Sequence, residues 1–233
     1  KRYLDNFVRY LEKNYLDKIE ILSFSEPDFL REYFQSGSAD VTLLDEAFGI
    51  MAEEAQKYGK IAYLSDAADG EKPDGIRRIV KFKKPDLIYK DILDLYAEGG
   101  YRTTYSSGTG KQAKMTLVTS FSGGTGTSSF AAALSRQYAR RGRKVLYLNL
   151  EALGNSEDFF QGSGAYTFEE VLFALKSQKT DLGLKLESAV RTDPGGVSYF
   201  APCSSALYMM EMTNENIQTL LETLKKSGTY EDV

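Results

Sequence analysis

Apolar runs of strand length alternate with segments of helical period along most of this chain, and few folds accept that alternation. A strand that reaches its neighbour through a helix lies parallel to it, and the crossovers cover both faces of the sheet. The pattern falls into two blocks. In the first, residues 1–97, Leu4, Phe7, Val8 and Leu11 fall at i, i+3, i+4 and i+7 of an amphipathic helix. Residues 19–24 read as a short strand. Glu26-Pro27 opens a second helix with Phe29, Leu30 and Phe34 on its inner face. Strands are expected at residues 41–44 (ending on Asp45), 61–64 and 79–82, and helices at 51–58 and 87–96. Such a block should open with a strand, yet Lys1 already falls in a helix, so a first strand is expected to be missing.

Residues 98–114 hold Gly, Ser and Thr and almost no large aliphatic side chains, the composition of a flexible linker. The second block, residues 115–233, begins with an expected strand at 115–120. A glycine-rich turn at 122–129 and an alanine-rich helix at 130–141 follow, closed by Gly142. Further strands are expected at 144–150 and 197–201, and helices at 168–176 and 217–226, the latter capped by Thr213 or Asn214. Residues 231–233 read as the start of a fourth strand, so this block too is expected to be incomplete. The expected fold class is α/β, with two parallel-sheet domains; 233 residues suffice for both without disulfide or metal staples.

Composition removes much chemistry. There is no histidine, which excludes histidine bases, histidine metal ligands and the Ser-His-Asp triad. The lone Cys203 excludes an internal disulfide and a cysteine zinc site, and suits a reducing compartment. With no histidine to activate it, Cys203 is read as a packed thiol. Net charge is 29 − 33 = −4, which asks for neither nucleic acid nor an anionic membrane. No apolar run reaches the length of a membrane span, and no signal peptide precedes Lys1. The basic cluster Arg136, Arg140, Arg141, Arg143 and Lys144 suits a solvated helix C-terminus better than a DNA contact.

Strand, glycine-rich turn and helix in immediate succession can form a phosphate site, with backbone N–H groups and the helix N-terminus aimed at an anion. Ser122, Gly123, Gly124, Thr125, Gly126, Thr127, Ser128 and Ser129 have that context. The other reading is a glycine-rich turn with no ligand. The run S-G-G-T-G-T-S resembles the variant loop K-G-G-x-G-K-[ST] of the MinD/ParA-type ATPases. Gly123, Gly124 and Gly126 match, and Ser128 matches the hydroxyl that ligates magnesium. Ser122 and Thr127 stand where that family has its two lysines, and both changes remove positive charge. The resemblance implies ATP and magnesium binding with slow or absent hydrolysis, because lysine there stabilises charge that develops during phosphoryl transfer. Asn149 and Glu151 stand where that family ends the next strand with aspartates, which weakens a magnesium role there; the other reading is a polar strand end facing solvent. The segment 210–233 resembles the stretch leading to a further strand, whose aspartate would fall just past Val233.

The first block resembles the receiver domain of two-component response regulators. Asp45 stands at the phosphoacceptor position, Ser65 at the hydroxyl that answers it, and Lys84, followed by Pro85, at the lysine that pairs with it. Glu46-Ala47-Phe48 lacks the proline that follows the aspartate in working receivers. Three readings stay open: a pseudo-receiver used for docking or dimerisation, a working receiver, or an unrelated parallel αβ domain. A receiver-like block followed by a variant MinD/ParA block resembles the CpaE/TadZ proteins of Flp-type (tight adherence) pilus assembly. That resemblance implies a cytoplasmic, dimeric, ATP-binding protein, polar or at the inner face of the membrane, that localises the secretion motor ATPase and assembly proteins. The rival expectations are a response regulator with an ATPase output and a ParA-like partition ATPase.

Overall fold

The computed structural model describes residues 2–16, 18–66, 75–98, 112–177 and 180–233. They fall into two compact units, Lys1–Gly99 and Gly100–Val233. Most of the expected linker, residues 99–111, lies outside the described residues. Its end does not behave as a linker. Ala113 is buried and its N–H donates to Lys225 O, while Lys114 bonds Glu231 and Val233.

The first unit is built on a three-stranded parallel sheet in the order β1-β2-β3, Val41–Asp45, Lys60–Ser65 and Arg77–Val80. Residues 62–65 of β2 are all buried, as a central strand covered on both faces requires. One face carries α2 (Pro27–Tyr33) and α3 (Ala52–Ala55), whose Leu30 and Ala55 pack with Leu44, Ile50, Tyr58 and Tyr63. The other carries α4 (Pro85–Ala97), against which α1 (Arg2–Tyr15) lies. The Tyr15 and Tyr89 rings stack at 3.8 Å, and the Tyr10 and Tyr15 hydroxyls each donate to Asp86 at 2.8 Å. The aromatics thus do two jobs, burying area and satisfying a helix-start carboxylate.

Two expectations fail here. Residues 19–24 form no strand, because apolar alternation makes a strand only where a ladder partner is present, and none among the described residues pairs with them. Phe29 is exposed: in so short a helix Leu30 takes the inner face, with Phe34 four residues on packing against the same cluster.

The second unit has β4 (Val145–Tyr147) parallel to β6 (Val197–Tyr199), with the short β5 (Arg191–Thr192) antiparallel to β6 at the edge, so its sheet is mixed rather than wholly parallel. Asp232 makes parallel bridges to both Lys114 and Val145. Residues 231–233 therefore run between these two segments. All three β4 residues are buried. Leu146 faces α6 (Phe168–Ser177), α7 (Leu182–Ala189) and α9 (Asn214–Lys226) in one cluster with Val171, Leu186 and Leu220. Tyr147 faces the other way, onto Phe160, Tyr199 and Ala132 of α5 (Thr127–Arg140). Each fully buried Leu or Val here contributes about 1.5–3 kcal/mol. Residues 115–120 form no strand: pairing reaches only Thr116, whose N–H donates to Val233 O, and Leu117 is 87 % exposed. The helix over 182–189 has no counterpart in the sequence reading.

Candidate functional site

Asp45 closes β1. Its carboxylate accepts the Ala47 N–H at 2.9 Å and turns the chain into a 3-10 turn over Glu46–Phe48. The parallel register sets Asp45 beside Leu64 and Ser65 beside Val80. Asp45, Ser65 and the residue after β3 thereby gather at the carboxyl ends of the strands, where α/β sheets place their ligands. Lys81 Nζ lies 2.9 Å from Asp45 Oδ2 and 2.8 Å from Asp66 Oδ1. The Lys81 N–H donates to the Ser65 carbonyl at 2.9 Å, and the Tyr3 hydroxyl donates to the Lys81 carbonyl. Burial works against the Asp45 charge, but the hydrogen bonds from Lys81 and Ala47 and the Lys81 charge outweigh it, so the carboxyl is held below its usual range. Burial also disfavours the Lys81 ammonium, and its two carboxylate partners more than compensate, raising its pKa.

The lysine position is a correction to the sequence reading. Lys84 does not reach Asp45 as its ion-pair partner; Lys81 does. The strand ends at Val80, two residues earlier than the apolar run suggested, and Phe82 is 72 % exposed. Lys84 instead stands exposed at the N-cap of α4, held extended by the Pro85 that opens the helix. No signal in the sequence marked it, because Lys81 falls inside the apolar run at 79–82 and the end of the strand at Val80 is set by pairing.

In the second unit, Gly124 and Gly126 adopt φ of +74° and +80°. Those left-handed values are why glycine stands at both positions, and Gly126 N-caps α5. No atom would meet a Cβ built at Gly123, Gly124 or Gly126, so the loop is open to solvent. Ser122 accepts Thr125 Oγ1 at its carbonyl (3.3 Å), and Thr125 Oγ1 and Thr127 Oγ1 lie 2.9 Å apart. Ser128 Oγ donates to both Glu151 oxygens, at 3.2 and 3.3 Å. The Glu151 N–H in turn donates to Asn149 Oδ1 at 2.8 Å, which fixes the loop after β4 that carries the carboxylate. Ser129 follows on the first turn of α5 and is exposed.

These donors fit a magnesium–phosphate group. The glycines leave room for phosphate, the first turn of a fourteen-residue helix supplies N–H groups, and Ser128 with Glu151 offers oxygen ligands. Among the described residues no group of three or more His, Cys, Asp or Glu side chains could hold a metal unaided. A magnesium ion would thus take its remaining ligands from phosphate and water. Residues 122–129 contain no lysine or arginine, so nothing in the loop itself neutralises charge on a transferring phosphoryl group.

The basic cluster is partly committed to structure. Arg136 donates to the Phe159 carbonyl and lies over the Phe160 ring, and Arg143 makes an ion pair with buried Asp232 at 2.7 Å. Cys203 is half-buried, and burial, with Glu169 nearby, pushes its thiol up to about 11, so it stays protonated at neutral pH. No described helix is long and apolar enough to cross a membrane.

No curated protein matches the chain. Residues 1–97, the unit that carries Asp45, Ser65 and Lys81, match the family described as TadZ-like, receiver domain, and this part of the chain is similar to it.

Proposed function

We propose that the chain is a localisation or scaffold component of Flp-type (tight adherence) pilus assembly, with a receiver-like docking unit and a nucleotide-binding unit of weak or no hydrolysis. The match of residues 1–97 to the TadZ-like receiver domain carries this reading. The site chemistry supports it at two points. In the first unit Glu46-Ala47-Phe48 lacks the proline that follows the aspartate in working receivers, which suits a docking surface more than a phosphorylation switch. In the second, hydroxyls stand where the related ATPases carry lysines, so ATP with magnesium acts as a structural or switching ligand rather than a substrate turned over quickly. A dimer and contact with the secretion motor ATPase belong to the same proposal.

Calorimetric titration with ATP and magnesium tests the second unit. Saturable heat that chelation removes, with turnover near background, is expected; no heat at millimolar ATP sinks the nucleotide part. Incubation with acetyl phosphate and magnesium tests the first. No modification of Asp45 is expected, and a stable phosphoryl group on it would assign the protein to the response regulators instead.

A further inference from the structure

A cavity of about 220 Å3 opens at the carboxyl ends of β4 and β6. Phe168 and Phe200, 5.2 Å apart between ring centroids, line it together with Cys203, Met209 and Leu153. Small-molecule sites usually enclose about 300–1,000 Å3, so this one is of the size that takes a single large side chain. Its surroundings are apolar and exposed. Leu153 is 84 % exposed on the rim. Leu207 and Met210, on α8 (Ala206–Met210) with the lining residues Ala206 and Met209, are 66 % and 64 % exposed. Such a cluster around a pocket marks an interaction surface.

The charge around it is mainly negative. Residues 145–175 contain Glu151, Glu157, Asp158, Glu169 and Glu170 and no lysine or arginine. Lys176, next in the chain after that stretch, is paired with Glu211. Arg191 reaches in to pair with Glu157 at 2.5 Å. The two carboxylates beside the cavity are held by neutral donors: Glu151 by the Ser128 hydroxyl, and Glu169 by the Ser204 N–H and hydroxyl. Neutral donors orient a carboxylate without cancelling its charge.

The geometry points to a docking surface for a basic amphipathic helix, which would seat one leucine- or phenylalanine-sized side chain in the cavity and set lysine or arginine against Glu151 and Glu169. The apolar anchor supplies the affinity and the charges set orientation and partner choice.

The test uses the full chain and a fluorescein-labelled helical peptide made only of leucine and lysine, with its leucine/glutamate counterpart, read by anisotropy. The lysine peptide is expected to bind, more weakly as salt rises, and the glutamate peptide not to bind. Leu153→Asp and Met210→Asp, both at exposed positions that fold readily, should each weaken binding about tenfold. Leu16→Asp, at an exposed leucine of the first unit, should leave it unchanged. Equal binding of both peptides, or binding that neither Leu153→Asp nor Met210→Asp weakens, overturns the proposal. So does sedimentation showing self-association that the same two substitutions abolish, since the face would then belong to a second copy. Glu151 also belongs to the candidate magnesium site, so the titration is run without ATP or magnesium, and a failure of the nucleotide reading leaves these outcomes untouched.

Discussion

At Asp45 burial and pairing pull in opposite directions, and pairing wins. A carboxyl held below its ordinary range stabilises the fold above about pH 4, and that contribution disappears as pH falls through the lowered value. Lys81, held above its ordinary range, contributes below about pH 10 and ceases to as pH rises through its raised value. The first unit is therefore expected to be most stable between those limits. Because Asp45 is 42 % exposed, its share is screened to about 1 kcal/mol or less. Lys81→Met should cost about 1–2 kcal/mol at neutral pH, since it leaves two carboxylates facing each other. Lys84→Met should cost less than about 0.5 kcal/mol, as an exposed substitution does. Urea denaturation of the two variants checks both, and equal losses would reject the assignment of Lys81. This pair also marks the limit of reading the site from sequence. Asp45 was legible because an apolar run ended on it; its partner was not, because Lys81, Lys83 and Lys84 are close in sequence and only the place where β3 ends distinguishes them.

Elements were legible where a local rule governs them. The start of α9 is one: of the two caps the sequence offered, Thr213 and Asn214, it is Thr213 whose side chain accepts the Asn216 N–H while the Asn216 side chain accepts the Thr213 N–H, a reciprocal cap between residues three apart. Thr213→Ala is expected to lower stability by about 1 kcal/mol, measured by thermal denaturation, while Thr213→Ser holds it. The glycines before α5 obey a rule of the same kind. Gly126→Ala places a Cβ at φ +80° and should cost about 1–2 kcal/mol although it meets no neighbouring atom, because the strain lies in the backbone itself. Strands were less legible. Residues 19–24 and 115–120 have the right apolar pattern, but a strand needs a neighbour, and no single segment encodes where its neighbour ends.

For the molecule as a whole, alternating strands and helices announced layered α/β architecture, and the structure has it in both units. The antiparallel β5 escaped notice because it has two residues and no pattern of its own. In the second unit residues 231–233 hold three parts of the sheet together. Leu146 N–H donates to Asp232 O, and Lys144 N–H to the Glu231 side chain, 87 residues away in sequence; Val233 exchanges bonds with Lys114 and Thr116. Deleting residues 231–233 should collapse amide-exchange protection across β4 and β6 and leave that of β1 and β2 intact; protection that survives at Leu146 would reject this. The same arrangement has a consequence in time. The ladders of the first unit join close segments, such as Val41 with Lys60, whereas the middle of the second sheet cannot form until the chain has been made through Val233. Closing so long a loop precedes any reward from the contacts it makes. During synthesis the first unit should therefore be folded, and its Asp45–Lys81 pair in place, while the second still exposes Val145 and Leu146 to whatever is waiting at the ribosome.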